Sequence, residues 1–317
     1  MTKNWLATGA LALTMGMSAT ASYAQTTTIP GEQVGLATGA PLPEGIYALN
    51  TFVYQSRDNS ALDVGINIPV LVWSTPLVPL GGRIELLVAP PTVFTFGKSG
   101  ANGLRDTSIN VGTFVGGIWA FDLGNNFGVS LLGGVYLNEL NGDRGVLRTN
   151  AGALANTAVL PQLSSNTYRV GVAASYTGDG YNLTANLTAN IYDSPSSFGS
   201  GRDFGTVYSL SDSLNLDLTA TKKFGKFEIG AIAYGTVNFD TGAKAGGIIN
   251  AALNDRGRFL MGGLVGYDFG FATAQVYVAR TVATTSFDST EISGRLIVPL
   301  YSPTPVAAAP APIIRKY

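Results

Sequence analysis

The chain of 317 residues contains neither histidine nor cysteine. Without histidine there is no Ser-His-Asp triad and no His-ligated zinc, and without cysteine there are no thiolate metal sites and no disulfides. Covalent chemistry would have to use carboxylates alone, and no paired Asp or Glu motif of the kind that cleaves glycosides stands out. We therefore expect no enzymatic activity and no cofactor, and keep a carboxylate-only surface enzyme as an alternative.

Charge and long apolar runs are also scarce. Charged residues make up 12% of the chain and the net charge is −1, which gives no reason to expect nucleic acid as a partner. Hydrophobic residues make up 46%, yet beyond the N-terminus no run reaches the length of about 18 apolar residues that a membrane helix needs. The hydrophobicity must lie in short alternating segments, as it does in a closed membrane barrel.

The N-terminus has the pattern of an export signal. Lys3 precedes an apolar stretch from Trp5 to Ala21, and Ser22 and Ala24 fit a small-x-small cleavage site. We predict a signal peptide over residues 1–24, with an uncleaved membrane anchor as the alternative. Cleavage would leave a mature chain that begins at Gln25.

Period-two alternation predicts the strands. From Tyr181 to Ile191 every odd-numbered residue is apolar and every even-numbered one is polar, which is a strand pattern long enough to cross a tilted bilayer. Similar alternation in 62–68 would direct Val64 and Ile66 to lipid and Asp63 to the lumen. Such segments number about twelve, centred on 46–56, 62–73, 83–96, 107–121, 127–139, 167–177, 181–192, 213–224, 226–238, 258–268, 271–281 and 290–301.

The connections support an all-β, transmembrane, antiparallel up-and-down barrel of about 12 strands over residues 45–301. Short Gly-containing turns at 122–126, 177–180, 223–226 and 268–270, and a somewhat longer one at 74–82, alternate with longer connections at 97–106, 140–166, 193–212 and 240–257. With both termini in the periplasm, all the longer connections lie outside.

Aromatic residues near the strand ends fit the girdles at the two membrane interfaces. A soluble β-sandwich with an aromatic core is the alternative. These residues are Tyr54, Trp73, Phe94, Phe96, Trp119, Phe121, Tyr136, Tyr192, Phe224, Phe239, Phe269, Phe271 and Tyr301.

The polar strand faces predict charged residues of both signs in the lumen, namely Asp63, Arg83, Glu85, Arg169, Asp217, Glu228, Glu291 and Arg295. They either form mutual salt bridges that fill space or line a passage and select what crosses it. Mixed signs suit a neutral or amphipathic solute. Apolar residues at presumed inward positions, Leu87, Phe114, Leu132, Ile232 and Leu264, would suit a hydrophobic one.

Two terminal segments flank the barrel. Residues 302–317 contain a Pro/Ala-rich stretch that predicts an extended periplasmic tail. Residues 25–44 precede the first strand and either stay in the periplasm or fold back as a plug.

The segment Pro43, Glu44, Gly45, Ile46, Tyr47, followed by Asn50 and aromatics, resembles the opening of the outer-membrane family named for the meta-cleavage pathway of phenol degradation. The segment Gly103, Leu104, Arg105, Asp106, which leads into the predicted strand at Ile109, is similar to the Gly-x-x-Asp segment that this family shares with long-chain fatty-acid channels. The chain departs from the pattern at Glu44 and in its Pro/Ala tail. The resemblance implies a transporter of aromatic or other hydrophobic compounds, with Arg105 and Asp106 as further candidates for the passage.

These features together predict passive uptake of a hydrophobic or aromatic small molecule through a narrow barrel in the outer membrane of a Gram-negative bacterium. A structural or adhesive barrel with a sealed lumen is the alternative. The expected partners are outer-membrane lipid and lipopolysaccharide, the barrel assembly machinery and the hydrophobic solute.

Overall fold

The computed structural model describes residues 28–58, 62–97, 106–110, 112–137, 144–148, 154–158, 167–192, 212–239, 257–285 and 287–303. Its strands are β1 (Gly45–Arg57), β2 (Leu62–Ser74), β3 (Gly82–Ala89), β4 (Thr92–Gly97), β5 (Asp106–Asn110), β6 (Thr113–Gly124), β7 (Phe127–Leu137), β8 (Arg144–Arg148), β9 (Leu154–Ala158), β10 (Thr167–Tyr176), β11 (Tyr181–Tyr192), β12 (Ser213–Phe224), β13 (Phe227–Asn238), β14 (Gly257–Asp268), β15 (Thr273–Thr284) and β16 (Ser289–Tyr301).

The strands form one antiparallel sheet that closes on itself, because β1 pairs with both β2 and β16. Two strand positions of the ring are split, one into β3 and β4 and the other into β5 and β6, and β8 and β9 continue the sheet beyond it. The ring therefore has 12 strand positions, which confirms the predicted barrel. Closure pairs every strand edge of the ring, as a membrane requires.

The sequence did not predict β8 and β9, which lie within the segment taken as a loop over 140–166. Each is a five-residue strand, too short for a period-two pattern to stand out. They pair with each other, and β8 also pairs with β5. Backbone hydrogen bonds to neighbouring strands therefore stabilise β8 and β9, although their side chains do not show a strand pattern.

The predicted strand over 83–96 is interrupted by Pro90 and Pro91, which separate β3 from β4. Asn67 pairs with Thr92 and Leu71 with Val88, so the register is unchanged across the gap and Pro69 lies opposite Pro90. Proline has no N–H to donate, so the hydrogen-bond ladder between β2 and this strand position is broken here.

The two ends of the barrel differ. The end where Ile46 pairs with Tyr301, here called the turn end, carries short connections. Asn125 and Asn126 have φ of 52° and 65°, the left-handed conformation of a two-residue hairpin turn. The opposite end, the loop end, carries the longer connections. The predicted signal peptide (1–24), residues 304–317 of the predicted tail and Arg105 all lie outside the described residues.

The outer surface of the barrel is apolar, with exposed residues such as Leu131, Val170, Leu183 and Met261 on its strands. Among the described residues, no helix is long and apolar enough to cross a membrane. At the turn end, aromatic rings lie side by side around the barrel, and neighbouring pairs have centroids 4.8–4.9 Å apart: Trp119–Phe121, Phe127–Tyr176, Phe227–Tyr267 and Tyr267–Phe269. An apolar band edged by aromatics is the surface that a bilayer covers.

Two orientation predictions were wrong. Tyr136 is only 2% exposed and stacks on Phe114 inside the barrel, so it is no girdle residue. In β2 the faces are reversed, because Val64 and Ile66 are 0% exposed and pack inside against Ile29, whereas Asp63 lies on the opposite face and accepts a hydrogen bond from the Tyr54 hydroxyl. Ile29 precedes the first strand and lies inside the barrel, where its apolar side chain contacts the apolar face of β2.

Candidate functional site

Residues 28–44, here called the plug, lie inside the barrel. Near the loop end, the Thr28 hydroxyl lies 2.5 Å from Asn190 Oδ1. Near the turn end, the backbone N–H of Leu42 donates to Glu85 Oε1 at 2.7 Å, and the Leu42 carbonyl accepts from the Ser74 hydroxyl at 3.0 Å. The plug therefore follows the lumen axis down to the start of β1.

Three plug glycines at four-residue spacing, Gly31, Gly35 and Gly39, anchor the plug to one wall. Their N–H groups donate to Asp217 Oδ1 (2.8 Å), Thr219 Oγ1 (2.8 Å) and Ser175 Oγ (2.9 Å). The acceptors belong to β10 and β12, which with β11 form a wall of mostly Ser, Thr, Asn and Asp side chains, here called the polar wall. These three backbone N–H groups of the plug thus find hydrogen-bond acceptors on the polar wall, as those of a strand do on a neighbouring strand.

The glycines also allow close approach. A Cβ added to Gly39 would lie 2.5 Å from the backbone nitrogen of Ser175, and one on Gly35 would lie 2.6 Å from Leu264. Gly31 and Gly35 have φ of +84° and +81°, which glycine adopts without strain. The space between the plug and the barrel at Gly35 and Gly39 is therefore too small for even a methyl group.

Two buried arginines hold the plug from opposite strands. Arg169, on β10, forms an ion pair with Glu32. Arg295, on β16, donates to the carbonyl oxygens of Val34 and Glu32, the latter at 2.5 Å, and to the Thr51 hydroxyl at 2.9 Å. Arginine suits this position because its planar group carries several donors in fixed directions.

Strands β13, β14 and β15 enclose the middle of the plug. Val34 is fully buried among Ile232, Tyr234, Leu260 and Leu264. Closer to the loop end, Glu291 accepts from Gln55 Nε2 at 2.6 Å and from the Tyr234 hydroxyl at 2.7 Å, and lies 3.0 Å from Arg258 Nη1. These contacts close the lumen on this side of the plug.

The opposite side of the plug is open to a cavity of about 400 Å³. This cavity lies between the plug and the inward faces of β1–β3, β6 and β7, here called the apolar wall. Its lining from this wall and from β10 is mostly hydrocarbon: Leu49, Val70, Leu87, Ile118, Leu132 and Ala173. In its middle part the lumen is therefore divided, with the plug bound to the polar wall and an apolar chamber on the other side. Ile29 toward the loop end and Leu42 toward the turn end bring the plug into contact with the apolar wall.

The wall of the chamber is thin at the proline break. Leu49 and Val70 line both the chamber and a depression of about 520 Å³ on the outer surface, which also includes Pro69 and Pro90. Pro91 lines the chamber side. The hydrogen-bond ladder is thus broken at Pro69 and Pro90 in the same part of the wall where Leu49 and Val70 separate the chamber from the outer surface.

The charged residues predicted for the lumen have different roles in the structure. Arg169, Asp217 and Arg295 contact the plug, as described above. Glu85 lines the chamber, 3% exposed. Glu228 is buried away from the chamber and accepts from Thr221 Oγ1 at 2.6 Å and Gln275 Nε2 at 3.0 Å.

The remaining candidates are Arg83, Asp106 and Arg105. Arg83 is half-buried at the turn end and donates to the carbonyl oxygen of Thr75 at 2.7 Å. Asp106 begins β5, and Arg105 lies outside the described residues. The sequence analysis did not identify Glu32, Gln55 or Arg258 as lumen residues. The even spacing of Gly31, Gly35 and Gly39 was a visible sign of a tightly packed segment beside Glu32.

A continuous ring of paired strands, an apolar exterior and a lumen filled by the chain's own N-terminal segment define the class: a membrane-spanning β-barrel with an internal plug. The family model described as "Putative MetA-pathway of phenol degradation" matches residues 48–294. The chain belongs to this family, which confirms the resemblance found in the sequence.

The solved structures that match this chain include parts of two autotransporters and a hydrocarbon channel. The β-domain of the Bordetella autotransporter BrkA has a TM-score of 0.48 at 12% identity, covering 81% of this chain and 100% of that one. The transport unit of the autotransporter AIDA-I from Escherichia coli has 0.45 at 14%, covering 93% and 98%. The CymD monoaromatic hydrocarbon channel has 0.39 at 8%, covering 81% and 88%. A search of curated protein sequences found no match.

Proposed function

We propose that the chain is an outer-membrane channel for passive uptake of a hydrophobic or aromatic small molecule, which passes along the apolar side of the plug. The observation that carries this proposal is the apolar chamber beside the plug. A chamber of about 400 Å³ with a hydrocarbon lining is of the size that binds small molecules. The family's description, which refers to phenol degradation, supports an aromatic solute.

In this proposal the candidate residues divide into two groups. Arg169, Asp217 and Arg295 keep the plug on the polar wall, so that the chamber stays open beside it. Glu85 faces the solute. No covalent step is required, and the barrel would have its turn end and both termini in the periplasm and its loop end outside the cell.

Narrowing the chamber tests this function. Leu132→Trp places a larger side chain in the chamber, whereas Leu131→Trp on the same strand points outward, where Leu131 is 51% exposed. We expect Leu132→Trp to lower the rate at which a deletion strain, complemented with each variant, takes up a radiolabelled hydrophobic carbon source. Leu131→Trp should take it up at the wild-type rate. Equal rates for both variants and for the deletion strain itself would refute the proposal.

A structural barrel with a sealed lumen is the second candidate, and the plug itself is the observation that favours it. If the plug serves to seal, purified protein in planar bilayers will not conduct, and liposomes that contain it will not admit hydrophobic solutes faster than empty ones. Uptake that depends on Leu132 but not on Leu131 distinguishes the channel from the sealed barrel.

A further inference from the structure

We propose that Glu85 is the head-group site of the chamber and that it favours hydrophobic solutes carrying a hydrogen-bond donor, a hydroxyl or an ammonium group, over carboxylates. The proposal rests on the channel function above, because it assigns the class of solute that the same chamber accepts.

Glu85 has unused hydrogen-bonding capacity. Its Oε1 accepts the Leu42 N–H at 2.7 Å, and its Oε2 has no hydrogen-bond or ion-pair partner among the residues that the structure describes. The side chain is 97% buried, since only 3% is exposed, and it lines the chamber. Because Oε2 accepts no hydrogen bond from the described residues, it can accept one from a ligand, so the site favours a ligand that supplies a donor.

The polar groups around Glu85 are already engaged with other partners. Arg83, two residues before it on the same face of β3, donates to the Thr75 carbonyl at 2.7 Å. The Tyr47 hydroxyl donates to the Pro43 carbonyl at 2.9 Å, and the Ser74 hydroxyl donates to the Leu42 carbonyl at 3.0 Å. None of these donors is directed to Oε2.

The other charged residues of the chamber differ from Glu85 in this respect. Glu32 is paired with Arg169, and Arg295 donates to the plug carbonyls and to Thr51. Arg169 thus already has a counter-ion in Glu32, although its Nε–H has no hydrogen-bond partner among the described residues. A solute carboxylate would meet a carboxylate of its own sign at Glu85. An ammonium or hydroxyl group would satisfy Oε2.

Thr38 of the plug also lines the chamber. The Thr38 hydroxyl is buried and has no hydrogen-bond partner among the described residues. Apart from these groups, the lining is mainly hydrocarbon. The chamber thus matches an apolar body with a small polar head.

Four probes with one hydrophobic body test this inference: 2-methylnaphthalene, 2-naphthol, 2-naphthylmethylamine and 2-naphthoate. Affinity is measured by equilibrium dialysis of the full mature chain in lipid nanodiscs, with empty nanodiscs subtracted. We expect the amine and the naphthol to bind about ten-fold or more tightly than the carboxylate. In Glu85→Gln the amine-to-carboxylate ratio should approach one.

The matched control is Asp122→Asn, which neutralises an exposed carboxylate at the turn end of β6, outside the chamber, and should keep the wild-type ratio. Glu85→Asp, which retains the charge, covers the case in which Glu85→Gln does not fold, and should keep the preference for the amine. If wild-type protein binds all four probes equally, or the ratio survives in Glu85→Gln, the inference is wrong while the channel function stands. If wild-type protein binds none of them, the chamber does not hold hydrophobic solutes and the proposed function itself fails.

Discussion

Asp217 Oδ1 lies 2.8 Å from the backbone nitrogen of Gly31, and its other oxygen lies 3.3 Å from that of Gln33. The side chain is 4% exposed, so both contacts are shielded from solvent. Hydrogen bonds to a carboxylate are stronger than those between neutral groups. One residue of the barrel thus fixes two positions of the plug, two residues apart, relative to the polar wall.

Replacing this carboxylate should loosen the plug. In Asp217→Ala two plug N–H groups lose their acceptor, at a cost of about 1–3 kcal/mol for each donor left buried. Because the chain has no cysteine, a Val34→Cys substitution provides a unique thiol, at a position that is 0% exposed. We expect a maleimide to label this thiol faster in the Asp217→Ala background than in the wild-type background.

Thr236→Ala is the control for this experiment. Thr236 lies on the adjacent strand β13 and is buried, and its hydroxyl has no hydrogen-bond partner among the described residues. Labelling of the Val34→Cys thiol should therefore stay slow in this background. Labelling that is equally slow with Asp217→Ala would show that Asp217 does not hold the plug.

Gly39→Ala should displace the turn-end half of the plug. The added methyl group would lie 2.5 Å from the Ser175 backbone nitrogen, and backbone on a paired strand cannot move aside easily. Overpacking of this kind costs about 1–3 kcal/mol. Hydrogen exchange measured by mass spectrometry should show faster exchange over residues 36–42.

The control is Gly133→Ala on the outer face of β7, where an added Cβ meets nothing within 4 Å. Its plug should exchange as slowly as in wild-type protein. If Gly39→Ala leaves the exchange of the plug unchanged, the plug does not rest against Ser175 in solution.

Much of the barrel was predictable because closure imposes a period of two on every spanning strand. The segment Tyr181–Tyr192 has that pattern throughout, and its predicted bounds match the structure. The pattern failed where a strand is not decided by its own side chains. The β8 strand is stabilised by pairing with β5 and β9. That Pro69 lies opposite Pro90 could be predicted only if the register between the two strand positions were known.

The site was less predictable, because its geometry depends on a segment that is not a strand. Asp217, Arg169 and Arg295 lie inside the barrel, but alternation could not show that their partners are plug atoms. The reversed faces of β2 have the same cause. Alternation identifies two faces, and Ile29, from the plug, decides which one is the interior.

Replacing Arg169 alone should lower the free energy of unfolding more than replacing both Arg169 and its ion-pair partner Glu32. Arg169→Met leaves a buried Glu32 carboxylate without its cation, a loss that costs about 3–5 kcal/mol for a buried pair. The double variant Glu32→Gln/Arg169→Met removes both charges and should recover a large part of that loss. Urea unfolding of each variant in lipid vesicles measures the coupling. Additive losses would show that the two side chains act independently.

The reversed faces of β2 give the last prediction. Ile66 is fully buried against Ile29, so Ile66→Asn would lose apolar contacts and bury an amide, at a cost of about 2–5 kcal/mol in the free energy of unfolding. The neighbouring Asn67 is half-buried on the opposite face, which we place toward lipid, where Asn67→Leu should be neutral or stabilising. The temperature at which each folded barrel unfolds in detergent gives the order directly. A destabilised Asn67→Leu together with a stable Ile66→Asn would mean that β2 presents Val64 and Ile66 to the membrane, as its alternation alone suggests, and that Ile29 does not pack against this strand.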